Sequence, residues 1–304
     1  MKIKGNSARS RKDGIFSLIL LLPAVVMTFI FILIPVIDSV IKSFMKYEIK
    51  NIISGKPGKW NNFANYIKLF QNAKLPQAIS NTFIFVIFVV ILAFVLGMAL
   101  ALILNSGVKC AKIIQGVMMT PWVIPTIISA LIWMWLFQPQ YGLVKYLVSV
   151  VTGGKVTDLA VLNNPSLALY GISVAALWKQ IPLMTLLLLA GLQNVPGELI
   201  EAATVDGANK VQRLFHITLP YMKSVISVAV SMSIIENFKQ FPLFWTMTGG
   251  GPDGATTTLA ILSYREAFVS QNLGSGAAVT TVWMLLMIVV IFIYNKVMSK
   301  VESE

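Results

Sequence analysis

The stretch Glu201-Ala-Ala-Thr-Val-Asp-Gly207, separated by nine residues from Ile217-Thr-Leu-Pro220, lies between two long apolar segments. Glu201 to Asp206 has the composition of a helix, and Gly207 suits a turn that needs positive φ. A second polar helical run leads to Pro220, which can open the following helix in its first turn. The expected product is a helix, a sharp bend and a helix, standing as a rigid knob outside an apolar phase. Glu and Asp capping short helices would account for part of this stretch, but capping does not require the distant Ile-x-Leu-Pro as well.

Working outward, the 304 residues are 57% hydrophobic and only 12% charged, more apolar than the core of a single soluble domain of this length requires. The chain is read as a polytopic membrane protein. A lone cysteine, Cys110, excludes an intrachain disulfide, and a lone histidine, His216, without a cysteine or acidic cluster near it argues against a metal site. Twenty-four Lys and Arg outnumber twelve Asp and Glu. The cations are scattered over loops with no basic run interleaved with aromatics, which points to membrane orientation and lipid headgroups and away from nucleic acid. Lys2, Lys4, Arg9, Arg11 and Lys12 precede an apolar run as in a signal peptide. The run from Ile15 to Ile37 is too long for a signal core and shows no small-residue cleavage site before its end, so it reads as a retained anchor.

Crossing roughly 30 Å of hydrocarbon takes about 20 apolar residues. Six segments qualify: Ile15 to Val40, Ile79 to Leu104, Ile113 to Phe137, Leu167 to Leu192, Leu219 to Thr246 and Ala277 to Val297. The predicted organisation is a basic tail (1–14), a first span (15–40) and an outer loop (41–78). A five-helix core (79–298) follows, containing the loop 195–219, and then a short tail (299–304). An even number of spans puts both termini on one side. With the termini and the Glu201 loop inside, twelve cations fall inside and ten outside, which barely decides orientation. In the outer loop, Trp60, Phe63, Tyr66, Ile67 and Phe70 have helical spacing with lysines between, as in an amphipathic surface helix; a solvated loop is the alternative. Pro121 and Pro125 should bend or break the third span, either as a moving part or as a static kink. Thr248-Gly-Gly-Gly-Pro-Asp-Gly254 lacks a following Lys-Ser or Lys-Thr and comes after a membrane span, so it is not read as a phosphate loop.

Glu-Ala-Ala, three residues, Gly, nine residues, Ile-x-Leu-Pro resembles the loop of binding-protein-dependent ABC importer permeases that docks on the cytoplasmic ATPase. Thr-Gly-Gly-Gly-Pro followed by Tyr264-Arg-Glu-Ala-Phe268 resembles an outer loop of the carbohydrate-uptake (maltose and multiple-sugar) branch. The resemblance runs from about Asn81 to the C-terminus. It implies an all-α integral membrane protein with the type I ABC importer fold, in a minimal six-span form without extra N-terminal spans or a large outer domain. It assigns ATPase coupling to Glu201, Ala202, Ala203, Asp206, Gly207, Ile217, Leu219 and Pro220. The orientation with both termini cytoplasmic rests mainly on it.

Polar residues inside spans are costly and tend to face a protein interior or a wet cavity. Two spans carry the same order of aromatic, Lys, Gln, apolar, Pro: Trp178-Lys-Gln-Ile-Pro182 and Phe238-Lys-Gln-Phe-Pro242. Each proline should free the carbonyl four residues back. A free carbonyl, an amide and an aromatic face suit a sugar, whose hydroxyls need donors and acceptors while its CH face stacks on a ring. Ser233, Glu236, Asn237 and Gln240, at offsets of zero, three, four and seven, share a helical face. In the family the corresponding helix presents sugar-binding residues at these places. Ser233 and Asn237 match, Gln240 is a conservative change, and Glu236 replaces an aromatic. In the fourth span Lys179, Gln180 and Leu183 align with sugar contacts without being identical to them. The expected solute site is therefore Trp178, Lys179, Gln180, Leu183, Ser233, Glu236, Asn237 and Gln240. Lys179 and Glu236 are expected to approach each other across the cavity, either at the solute or solely as a packing pair. An unpaired Lys179 would suit an acidic sugar or a sugar phosphate.

No Gly-x4-Gly-Lys-Ser/Thr is present, so energy must come from a partner and the chain itself is not an enzyme. The resemblance implies two cytoplasmic ATPase subunits carrying ATP and Mg, with no cofactor on this chain. It also implies a second permease subunit, favoured as a different chain, an extracytoplasmic solute-binding protein, and a bacterial or archaeal cell membrane. The rival classes are an ion-driven secondary transporter, which would show repeated halves, and a membrane scaffold or sensor.

Overall fold

The computed structural model describes residues 7–155 and 159–303. Within the basic tail, Lys2 and Lys4 lie outside the described residues. Contacts divide the chain into two units, Met1–Leu69 with Arg265–Thr281 and Phe70–Tyr264 with Val282–Glu304.

In the first unit, helix α1 (Ser7–Thr28) passes through a π turn (Phe29–Leu33) into α2 (Ile34–Ser43), and its apolar side chains from Ile19 to Ile37 are exposed. A short antiparallel ribbon pairs β1 (Met45–Lys46) with β2 (Lys59–Trp60) around α3 (Ile49–Ile53), and α4 (Ala64–Gln71) follows. Phe44 gathers Trp60, Phe63 and Tyr66 at ring centroids of 5.6, 5.4 and 5.1 Å. Asn65 donates through Nδ2 to the carbonyls of Ser43 and Met45, tying α4 to the ribbon. Phe63, Ile67 and Phe70 remain exposed on successive turns.

The second unit is built on α5 (Lys74–Asn105) and α10 (Ala168–Gln193), the most extensive helix pairing in the chain. Gly97 makes their close approach feasible: a Cβ there would stand 2.8 Å from Met184 Cγ. Ala93 and Ala101, fully buried one turn to either side, keep the seam narrow. Between these helices in the chain come α6 (Ala111–Met118), α7 (Thr120–Val123), α8 (Thr126–Leu136) and the amphipathic α9 (Leu143–Val151). The third span is thus broken, with a bend of 93° between its halves. Ile124 and Pro125 take ψ of 131° and 139°, the extended geometry expected of a residue before proline and of a helix cap.

The chain continues through α11 (Gly197–Val205), α12 (Lys210–Arg213), a π turn (Leu214–Thr218) and α13 (Leu219–Tyr221) into α14 (Lys223–Phe238). Next come α15 (Pro242–Met247), α16 (Leu259–Tyr264) and α17 (Leu273–Ser303). The fifth segment differs from the single span expected over Leu219 to Thr246. A bend of 75° separates Lys210–Tyr221 from Lys223–Phe238, so Pro220 does not open the membrane helix. The helix stops at Phe238, and Pro242 begins a new one. The similar Lys-Gln-x-Pro string in the fourth span has another outcome, since Pro182 sits inside uninterrupted α10.

The glycine-rich loop is closed by its own threonines. Thr257 donates to the Gly250 carbonyl and Thr256 to that of Gly251, at 2.9 and 2.7 Å. Asn81 on α5 donates to the carbonyls of Gly254 and Thr257 at 3.1 and 3.0 Å. The loop is thereby fastened to the start of α5.

Candidate functional site

A cavity of about 450 Å³ opens between α7, α8, α10 and α14. From α10 it takes Ala176, Lys179, Gln180, Leu183, Met184 and Leu187, at offsets of zero, three, four, seven, eight and eleven. That is one stripe of a 3.6-residue helix. From α14 and the residues just beyond it come Ala229, Met232, Ser233, Glu236, Asn237 and Gln240, and from the broken third span Trp122 and Thr126. Seven of the eight residues expected at a solute site line this one space. Trp178 does not: it falls off the α10 stripe and meets Trp133 edge-on with ring centroids 6.1 Å apart. Its string suits a sugar by residue type, whereas the helical period turns Trp178 off the stripe that lines the cavity.

The polar centre of the cavity is a small network. Gln180 Oε1 accepts from Ser233 Oγ at 3.1 Å and from Asn237 Nδ2 at 2.9 Å. Asn237 Nδ2 also donates to the Ser233 carbonyl at 2.8 Å. Asn237 is 2% exposed, and its Oδ1 is buried without a hydrogen-bond partner. A buried acceptor without a donor is an open valence for a hydroxyl or amide N–H. With the indole of Trp122 and the aliphatic walls of Leu183 and Met184, the cavity can hold a molecule that has both hydroxyls and an apolar face.

Lys179 and Glu236 both reach this space but do not pair. Glu236 Oε1 lies 2.7 Å from Lys239 Nζ, one helical turn away. Lys179 Nζ instead donates to the Ile124 carbonyl at 2.5 Å and the Pro121 carbonyl at 3.4 Å. The expectation of a cross-cavity pair is corrected on these distances. The local i, i+3 partner costs Glu236 less side-chain order, and the opened third span offers Lys179 two carbonyls. Trp122 and Thr126 were not named from the sequence, although they flank the prolines that flagged the break.

The residues of the Glu201 loop form a second cluster, within the second unit. Helix α11 ends in a Schellman arrangement: Ala208 N donates to the Ala203 carbonyl at 2.9 Å, and Gly207 N to that of Thr204 at 3.1 Å. Gly207 has φ of +83°. Asn209 and Gln212 then form a reciprocal capping box at 2.8 and 2.9 Å that starts α12, and Arg213 reaches Thr204 Oγ1 across the bend. Glu201, Ala202, Asp206 and Gly207 are exposed, while Ala203 is turned inward. Leu219 packs on the core cluster formed by Met184, Leu188 and Met222. Val205, Val211 and Phe215 leave apolar surface exposed on the knob, Val205 to 88%.

A helical membrane protein with a polar cavity between its helices and an exposed helix-turn-helix loop has the architecture of a transport permease. Residues 93–302 match the family described as "Binding-protein-dependent transport system inner membrane component", and the chain belongs to it. It is 34% identical over 279 residues to the trehalose/maltose transport system permease protein MalF of Thermococcus litoralis, covering 92% of each chain. It is 32% identical over 285 residues to the sulfoquinovosyl glycerol transport system permease protein SmoG of Agrobacterium fabrum, covering 94% of this chain and 91% of that one. A solved bacterial ABC transporter involved in import of the acidic polysaccharide alginate superimposes with a TM-score of 0.80 at 20% identity, over 96% of this chain and 98% of that one. The fold is the type I ABC importer transmembrane fold that the sequence led us to expect. The chain is a transport component of an inner-membrane family. Among the described residues, four helices are long and apolar enough to cross a membrane, or up to six spans if each bent pair counts as one.

Proposed function

We propose that this chain is the permease subunit of a binding-protein-dependent ABC importer that carries a sugar or oligosaccharide across the cell membrane. The observation that carries the solute class is the unpartnered Asn237 Oδ1, set beside the Gln180 and Ser233 network in a cavity that Trp122 also lines. A saccharide hydroxyl supplies the missing donor while its CH face lies on Trp122. Gln180, Leu183, Ser233, Asn237 and Gln240 form the remaining contacts, with Glu236 at the rim beside Lys239. The named relatives that transport trehalose, maltose and sulfoquinovosyl glycerol support this class.

The energy comes from two cytoplasmic ATPase subunits, which hold the ATP and Mg; this chain catalyses no covalent step and holds no cofactor. Their docking site is the knob around Gly207. Glu201, Ala202, Asp206 and Gly207 present its surface, Ala203 backs it, and Ile217, Leu219 and Pro220 transmit its displacement to α14. A second permease subunit, a different chain, completes the pore, and an extracytoplasmic binding protein delivers the solute. Both termini then face the cytoplasm. Closure of the ATPases makes access to the cavity a two-state variable.

The test is ATP hydrolysis by the assembled complex with its cognate binding protein, titrated with a panel of neutral sugars, sugar phosphates and amino acids. Stimulation by a mono- or oligosaccharide, neutral or acidic, supports the proposal, and stimulation confined to solutes without a sugar refutes the assignment. A photocrosslinker at Val205 or Asp206 should capture the ATPase; failure at both positions refutes the docking site.

A further inference from the structure

We propose that Lys179 is a brace for the broken third span: its ammonium supplies the donor that Pro125 lacks and thereby fixes Trp122 in the cavity wall. In an uninterrupted helix the N–H of residue 125 would bond the carbonyl of residue 121. Proline has no N–H, so the Pro121 carbonyl is the one this break orphans. Ile124 and Pro125 leave helical geometry at ψ of 131° and 139°, which also removes the Ile124 carbonyl from its normal place in the ladder. Lys179 Nζ donates to these same two carbonyls, at 3.4 and 2.5 Å.

The three residues on this segment are arranged so that the brace acts on the cavity. Trp122 lies between the two braced carbonyls in the chain, and it is the aromatic residue among those lining the cavity. Lys179 stands on α10, which is unbroken and seated along α5. The side chain therefore ties a short divided segment to the most extensively packed helix pair of the unit. The charge has no other claim on it among the described ion pairs, because Glu236 is engaged by Lys239. An ammonium within a membrane span is satisfied by backbone carbonyls or by a counter-ion, and here the carbonyls fill that role. Lys179 is thus a positioning residue that acts through Trp122. The inference deepens the saccharide reading and rests on it for the functional measurement alone.

The experiment uses the assembled complex in lipid nanodiscs with 5-fluorotryptophan incorporated, the Trp122 fluorine resonance being assigned with Trp122→Phe. Lys179→Met is expected to shift and broaden the Trp122 resonance, leave that of Trp283 unmoved, and raise the half-saturating sugar concentration about tenfold, the scale of a lost charged hydrogen bond. Lys179→Arg, which can donate to both carbonyls, should restore both readings. Pro125→Ala returns the backbone donor, and in that background Lys179→Met should cost less than about threefold, since coupled sites are non-additive. An unmoved Trp122 resonance in Lys179→Met, or an equal loss in both backgrounds, overturns the brace and makes Lys179 a direct solute ligand. If Lys179→Met does not assemble, Lys179→Gln replaces it: a neutral donor should keep the Trp122 resonance near its native position, and a large shift overturns the inference. Should no sugar stimulate the complex, the fluorine resonance still decides the brace, so the two readings fail separately.

Discussion

Replacing Asn237 with Leu separates ligand from scaffold. In the structure Asn237 Nδ2 makes two hydrogen bonds, to Gln180 Oε1 and to the Ser233 carbonyl, and Oδ1 makes none. Leucine has the same branched shape and the same number of side-chain heavy atoms, is somewhat bulkier, and carries no polar atom. Gln180 Oε1 would keep its bond from Ser233 Oγ. The orphaned Oδ1, which costs about 1–3 kcal/mol while unpaired, would disappear. The empty complex should therefore unfold within about 2 °C of the parent. The loaded complex loses the bond that a solute hydroxyl makes to Oδ1, together with the relief of that penalty. At about 1–3 kcal/mol, this corresponds to a roughly 5- to 150-fold rise in half-saturating solute. Titration of solute-stimulated ATP turnover, with thermal unfolding of the empty complex alongside, measures both. Half-saturation within twofold of the parent together with a lowered unfolding temperature would show that Asn237 packs helices and does not meet the solute.

Two further outcomes follow from other parts of the chain. Gly207→Val meets no atom within 4 Å but must adopt φ of +83°, at a cost of about 1–2 kcal/mol for an L-residue. It is expected to abolish solute stimulation of ATP turnover while leaving binding of labelled solute intact, which equilibrium binding on the same preparation checks. In the first unit, the hydrogen bond from Lys50, 2.6 Å away, holds the Glu48 carboxyl below its ordinary range, with the charges of Lys50 and Lys46 adding to it. Because the folded pKa is depressed, the stabilisation is complete above the unfolded value near 4.5 and is lost as pH falls through the folded one. Glu48 also caps α3 through a reciprocal box with Asn51. Amide protection at Asn51 to Ile53 should thus persist at pH 7 and fall in acid, and Glu48→Ala should remove this pH dependence.

What was legible in the sequence tracks how local the governing physics is. Gly207 announced its left-handed turn, and Pro121 with Pro125 announced a break, because both effects lie within a few residues of backbone. The cavity face of α14 was legible because Ser233, Glu236, Asn237 and Gln240 repeat at helical spacing. Trp178 was misplaced because residue types in a repeated string were weighed above the period that places Lys179 and Gln180 on one stripe and Trp178 off it. The two Lys-Gln-x-Pro strings diverge for a tertiary reason. Pro182 is buried in a helix that neighbours hold along its length, while Phe238 is seated edge-on against Phe83 at 5.6 Å where its helix ends. The partners of Lys179 and Glu236 differ from the expected pair. Lys179 depends on carbonyls that a break in another span brings to it, which charge and spacing do not encode, and Glu236 has a competing i, i+3 cation in Lys239 that a search for cross-helix pairs passes over.

The cavity has one wall that the fold holds still and two that it leaves divided. Helix α10 runs unbroken beside α5, whereas the third span turns by 93° at its break and the fifth is interrupted on both sides of α14. Continuous helices move as rods, and short segments re-orient about the few residues between them. Adjacent residues of α10 bind the two divided walls: Lys179 holds the third span, and Gln180 holds α14 through Ser233 and Asn237. Any opening of the cavity along α14 must therefore break two bonds to Gln180 Oε1, at a net cost of about 0.5–1.5 kcal/mol each. Gln180→Leu removes both at once and should shift a two-state equilibrium by roughly 5- to 150-fold toward the form in which α14 has moved away. The readout is basal ATP turnover without solute or binding protein, expected to change several-fold, with a matching change in the distance between spin labels at Leu186 and Val228. If turnover and label distance both stay at the parent values, α14 does not swing about α10, and the moving wall of this cavity lies in the third span alone.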